Sequence, residues 1–180
     1  MSWNDFYQRR DIIDAVLREA RRDPRGPLPF ARIPGAARAF GSEENLLLAL
    51  QYKWAQVLSG RLRAQAAGPE DAADVPGWGE RDHVDAVSRA WLSATREHPT
   101  LRAVLDAHAD EYPRLRAAHE AELRMLAVTA GLAEPHEPRE EAVKVGRAFV
   151  SLLRGRDATA SPRRRSNPVG QLLRKLAATA

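Results

Sequence analysis

The sequence has no cysteine among its 180 residues, which excludes disulfide bonds and cysteine-ligated metal sites. Its longest apolar run covers residues 46–50, far short of the roughly 18 residues that a membrane span needs. The first residues have neither a basic start nor an apolar segment, so the sequence predicts no signal peptide. We therefore expect a cytoplasmic protein without a membrane span, held together by packing alone.

The usual enzyme signatures are also missing from the sequence. It contains no glycine-rich phosphate loop and no nucleophile elbow, and it has no cysteine nucleophile. No two histidines have the i, i+4 spacing of a helical zinc site. The sequence thus predicts a non-enzymatic protein with no cofactor and no metal site.

The charge of the chain is unevenly distributed. The isoelectric point is near 9.9 and the formal charge is +4. Residues 154–180 carry seven basic side chains against one acidic one, a charge of +6, so residues 1–153 carry −2. The basicity therefore describes the C-terminal tail rather than the folded body.

Helical periodicity dominates the sequence, and no stretch alternates apolar and polar residues long enough to predict a strand. Prolines at helix starts and glycines at helix ends, Gly155 among them, mark the boundaries. We predict an all-α bundle of about seven helices plus a short C-terminal amphipathic helix. The predicted helices span residues 5–22, 34–40, 43–67, 82–97, 99–110, 113–130, 138–154 and 168–178.

One passage, residues 33–50 (IPGAARAFGSEENLLLAL), resembles a signature of TetR-type (tetracycline-repressor-type) transcriptional regulators. The matching residues are Phe40, Gly41, Ser42, Glu43, Glu44, Leu46 and Leu47. The resemblance covers residues 5–154 and implies a TetR-like helical bundle. It divides into an N-terminal helix-turn-helix-like region with a connecting helix (1–67) and a ligand-binding and dimerising bundle (68–155). The composition of the remaining residues predicts a basic flexible tail with a short helix (156–180).

The chain departs from that family in its DNA-reading part. Only ten residues, three of them proline, separate Arg22 from Ile33, so the first helix of the helix-turn-helix is predicted to be missing or reduced to a turn. In the presumed recognition helix only Arg38 can form bidentate bonds to a base edge. The remaining candidates for DNA contact are Arg25 and Arg32.

A group of polar and aromatic residues extends the apolar faces of the middle helices. They are Trp91, His98, His108, Tyr112 and His119. One interpretation is a pocket for a small apolar ligand, oriented by a few polar groups. The alternatives are partly buried, hydrogen-bonded residues, or a metal site completed by Asp106, Asp110 or Glu122.

The last bundle helix carries an apolar stripe formed by Val143, Gly146, Val150 and Leu153. A glycine inside a helix costs up to about 1 kcal/mol relative to alanine, so close approach of another helix explains it. The resemblance places these residues at a homodimer interface. Contact with another helix of the same chain explains the pattern equally well.

The tail combines basic residues with a short apolar face. These residues are Arg163, Arg164, Arg165, Leu172, Leu173 and Leu176. The interpretations are salt-sensitive contact with nucleic acid, docking into a groove of a partner protein, attachment to a membrane surface, or a solvated tail.

The expected function is that of a transcription-associated regulator, with a bundle that senses a small ligand, dimerises or does both, and with weakened or lost sequence-specific DNA binding. The alternative is a protein-interaction adaptor that does not bind DNA and acts through the tail.

Overall fold

The computed structural model describes residues 3–66 and 79–160, and these residues form an all-α fold. They contain seven α-helices, one 3₁₀ turn at Phe30–Arg32 and no strand, which confirms the predicted fold class. No helix in the described ranges is long and apolar enough to cross a membrane. The helices are α1 (Trp3–Ala20), α2 (Ala36–Phe40), α3 (Glu43–Ala66), α4 (Gly79–Glu97), α5 (Pro99–His108), α6 (Pro113–Thr129) and α7 (Arg139–Ala160).

The N-terminal layer consists of α1, the segment 21–35, α2 and the start of α3. Glycines with positive φ lie at both ends of α2, Gly35 at 83° and Gly41 at 75°. Residues other than glycine rarely adopt this backbone conformation. The Gly41 N–H donates to the carbonyl of Ala37, and the Ser42 hydroxyl accepts a hydrogen bond from the backbone N–H of Asn45 in the first turn of α3. A small apolar cluster holds this layer together: Ile12, Val16, Ala36, Phe40 and Leu46.

The bundle is built around α3, which packs against α4, α5 and α6, while α7 packs mainly against α6. The apolar stripe of α3 is wide because this helix contacts neighbours on more than one side. The buried core includes Leu47, Leu50, Trp54, Leu58, Val87, Trp91, Leu101, Leu105, Leu123, Leu126, Phe149 and Val150.

The predicted end of α7 at Gly155 is wrong, because the helix continues to Ala160. Gly155 is not among the glycines with positive φ and therefore does not act as a left-handed cap. A glycine weakens a helix by about 1 kcal/mol but ends it only where the backbone leaves the helical region. The predicted flexible tail from residue 156 is accordingly helical to residue 160. Residues 161–180, with all the tail residues singled out above, lie outside the described residues, as do residues 67–78.

Candidate functional site

The segment between α1 and α2 contains a three-residue 3₁₀ turn, Phe30–Arg32, and no α-helix. The prolines of the segment account for this, because each lacks a backbone donor and fixes φ. The structure therefore agrees with the prediction that no α-helix fits between Arg22 and Ile33.

The three arginines proposed to contact DNA are all solvent-exposed in this N-terminal layer. Arg32 lies 3.6 Å from the carboxylate of Glu19, an exposed pair that contributes little to stability. Arg38 lines a groove of about 600 Å³ between α1 and the segment that leads into α2. Arg25 lies in the loop after α1. Their positions leave the guanidinium groups accessible to a polyanion.

The centre of the bundle holds a buried carboxylate, Glu122 on α6. Its Oε2 accepts a hydrogen bond from Gln51 Nε2 at 2.8 Å, and its Oε1 accepts from Trp54 Nε1 and Arg102 Nη1, each at 2.9 Å. His119 Nδ1 lies 3.9 Å from Oε2, an electrostatic contact beyond hydrogen-bond range. The carboxylate therefore joins α3, α5 and α6 in the interior.

A chain of charges leads from Glu122 to the surface. Arg102 Nε donates to Asp106 Oδ1 at 2.9 Å, and its guanidinium lies 5.0 Å from the Trp54 ring centre. The same Asp106 oxygen accepts from Arg154 Nη2 of α7 at 2.6 Å. Arg154 is half-exposed and its guanidinium lies 5.9 Å from the centre of the Trp91 ring. We call Glu122, Arg102, Asp106 and Arg154 the polar relay.

The sequence interpretation missed Gln51, Arg102 and Arg154 as members of this centre, and considered Glu122 and Asp106 only as metal ligands. The available signal was the i, i+4 spacing of Arg102 and Asp106, which pairs opposite charges on one side of a helix. No group of three metal-ligating side chains lies together within the described ranges.

The predicted pocket residues do not converge on one opening. The Tyr112 hydroxyl donates to Glu43 Oε2 at 3.3 Å, and His108 Nδ1 lies 2.7 Å from Glu111 Oε2. His98 precedes α5, where its backbone N–H donates to the carbonyl of Ala94. Of the five residues, His119 contacts Glu122 and Trp91 adjoins the polar relay through Arg154.

The four residues assigned to a dimer interface are instead buried inside the chain. Val143, Val150 and Leu153 belong to the core. A methyl group added to Gly146 would overlap the backbone carbonyl of Leu123, so α7 lies directly against α6 at this point. The intramolecular alternative explains the stripe, because these side chains have no free surface to offer a second copy.

Acid is expected to destabilise the protein through Glu122. Burial raises the pKa of this carboxyl group, but the neighbouring His119, the Arg102 charge and the donors Gln51 and Trp54 together outweigh burial and hold the pKa at about 2. The unfolded pKa is near 4.5, so the carboxylate stabilises the fold above that pH and loses this contribution as pH falls toward 2. The loss is on the order of 3 kcal/mol and is measured by urea unfolding between pH 6 and 2.

The matched variant for this measurement is Glu122→Gln, which has no carboxylate at that position. We expect the variant to be less stable at pH 6 and to lose less stability on acidification than the parent protein. Equal pH dependence of the two proteins would show that other groups cause the acid sensitivity.

Comparison with known proteins gives no match: no protein-family model, no curated protein and no solved structure is significantly similar to this chain.

Proposed function

We propose that the chain is a transcription-associated regulator whose N-terminal layer contacts DNA loosely and whose bundle senses a small ligand. The observation that carries this proposal is that one continuous helix, α3, joins the two parts. It begins beside α2, where Asn45 Nδ2 donates to the carbonyl of Phe40, and it carries Gln51 and Trp54 to Glu122. In this proposal a change at Glu122 is therefore transmitted along α3 to the N-terminal layer.

The charge distribution supports contact between the N-terminal layer and a polyanion. Residues 1–42 contain eight arginines and five carboxylates, a charge of +3, whereas residues 43–153 carry −5. Arg25, Arg32 and Arg38 are exposed in the positive part. Arginines of this kind bind phosphates and release counterions, which gives affinity without sequence preference.

The size of α2 explains why sequence readout is weak in this proposal. Five residues make a helix about 7.5 Å long, with one side chain suited to bidentate contact with a base edge, Arg38. The other four residues of α2 are three alanines and Phe40, and Phe40 is buried.

The ligand-sensing part rests on buried ring nitrogens. Within the described residues, Trp91 Nε1, His108 Nε2 and His119 Nδ1 are buried and have no hydrogen-bond partner. Buried polar atoms are nearly always paired, and water or a ligand supplies the partner where protein does not. The ligand in this proposal is small and mainly apolar, with an acceptor atom for the Trp91 Nε1 donor. Dimerisation and a cytoplasmic location belong to the same proposal through the resemblance to TetR-type regulators.

The test is the salt dependence of DNA binding by the full chain. We expect Arg25→Gln, Arg32→Gln and Arg38→Gln in one protein to weaken binding to a labelled duplex and to reduce the slope of log K against log salt by about 2–3. Fluorescence anisotropy at several salt concentrations gives both quantities. The control protein carries Arg116→Gln, Arg139→Gln and Arg147→Gln, which remove the same charge from exposed positions of α6 and α7.

A third protein with Arg163→Gln, Arg164→Gln and Arg165→Gln separates the tail from the N-terminal layer. Equal binding by the parent and the N-terminal variant would contradict the proposal. If binding then disappears in the tail variant alone, the adaptor function that acts through the tail is favoured instead.

A further inference from the structure

We propose that the groove between α1 and α2 binds single-stranded nucleic acid, with aromatic rings of α1 stacking on unpaired bases. This inference rests on the proposed contact between the N-terminal layer and nucleic acid, and it specifies the form of nucleic acid that is bound.

The groove has the size and composition of a site for one or two nucleotides. Its volume of about 600 Å³ lies within the range of small-molecule sites. One wall comes from α1 and the other from the residues that lead into α2. Ala15, Ile33 and Pro34 supply apolar surface for the face of a base, with the buried Ile12 behind them.

Two aromatic residues at the start of α1 are exposed beside this groove. Phe6 is 56% exposed and Tyr7 is 47% exposed; Tyr7 lines the groove, and Phe6 lies next to Tyr7, outside the lining. The Arg10 guanidinium lies over the Tyr7 ring, 5.2 Å from its centre, so a base stacks on the part of that ring which Arg10 leaves exposed. The ring centres of Phe6 and Tyr7 are 5.8 Å apart with an angle of 74° between the planes, so each ring presents a differently oriented surface. Exposed aromatic rings are the usual platforms for unpaired bases, because every base has a π-face to stack on.

Polar groups of the groove complement both parts of a nucleotide. The Gln8 amide donates and accepts hydrogen bonds, and the Asp11 carboxylate accepts from an exocyclic amino group. Arg38 lines the same groove and suits a phosphate. The lining carries two carboxylates, Asp5 and Asp11, against Arg38, so attraction of the strand's backbone comes from Arg38 and from the arginines of residues 1–42 that lie outside the lining.

The local structure favours a single strand over a duplex. A protein that recognises the major groove inserts a recognition helix into a groove about 12 Å wide. α2 has only five residues and offers little helix for such an insertion. Bases in a duplex are stacked on one another, so their faces are not available to Phe6 and Tyr7. Only an unpaired base brings its face to these rings.

The experiment uses the full chain and three labelled 12-nucleotide probes of one sequence: single-stranded DNA, single-stranded RNA and the DNA duplex. At equal salt we expect either single strand to bind about ten-fold more tightly than the duplex. Tyr7→Ala and Phe6→Ala should each weaken single-strand binding about five-fold or more, since stacking on one base contributes about 1–3 kcal/mol. Tyr7→Phe should bind as tightly as the parent protein, because phenylalanine keeps the aromatic ring.

Tyr52→Ala is the matched control, because Tyr52 is 67% exposed on α3 and lies outside the groove lining. It should bind like the parent. All these side chains are exposed, and thermal melting followed by circular dichroism verifies that each variant folds. Tighter binding of RNA than DNA indicates contact with the 2′-hydroxyl and supports the inference, as does equal binding of both.

The outcomes separate this inference from the proposed function. If the duplex binds as tightly as the single strands and Tyr7→Ala has no effect, stacking is excluded, while a loss on removing Arg25, Arg32 and Arg38 still upholds phosphate contact. If no probe binds, both proposals are wrong.

Discussion

Replacement of Arg102 by methionine is expected to lower the free energy of unfolding by about 3–5 kcal/mol. The guanidinium is buried between the carboxylates of Glu122 and Asp106. Burial lowers the pKa of this group, but the two carboxylates outweigh burial and raise it, so the arginine remains charged. Methionine fills similar volume but leaves the Glu122 charge buried without a cationic partner. Chemical denaturation at pH 7 measures the difference.

Two further proteins show whether the buried charge causes the effect. In the double variant Arg102→Met, Glu122→Gln, part of the stability should return, because the unpaired charge is gone. Arg139→Met removes an exposed partner of Glu120 and should cost at most about 1 kcal/mol. A double variant less stable than Arg102→Met would contradict this explanation and assign the cost to packing.

Substitution of Gly146 by leucine is expected to destabilise the protein by more than about 3 kcal/mol, beyond the usual cost of overpacking. The first side-chain carbon would already overlap the carbonyl of Leu123, which is backbone and cannot rotate away. α7 must therefore separate from α6 along the largest interface between two helices of the bundle. The melting temperature measures the effect.

Gly60 provides the control for Gly146 because it also lies inside a helix. A side-chain carbon at Gly60 meets no atom within 4 Å. Gly60→Ala should therefore stabilise the protein by about 0.5–1 kcal/mol, through the better helix propensity of alanine. If Gly146→Ala or Gly146→Leu were as stable as Gly60→Ala, the close approach of α6 and α7 would be disproved.

The location of the helices could be predicted from the sequence because their signals are local. Pro99 and Pro113 begin α5 and α6, and Gly41 and Gly131 have the positive φ expected at helix ends. Capping and apolar spacing depend on residues within one or two turns, so neighbouring sequence contains most of the information. Gly155 is the exception, because a glycine permits a left-handed cap without requiring one.

The candidate sites could be predicted only in part. The sequence proposes Arg25, Arg32 and Arg38 as DNA contacts, and the structure shows that all three are exposed, as expected of arginines in and beside a proline-rich segment. Phe6 and Tyr7 could not be assigned, because their exposure depends on what the rest of the chain leaves uncovered.

The sequence by itself determined the fold class, the order of the helices and the absence of an α-helix between α1 and α2, since proline and apolar spacing act locally. The tertiary structure decided which side chains meet. Glu122 and Gln51 are 71 residues apart, and Asp106 and Arg154 are 48 apart. The tertiary structure also decided that Gly146 allows α7 to approach α6 closely. Such pairings depend on how whole helices pack, and residues far apart in sequence carry no local pattern that fixes their partners.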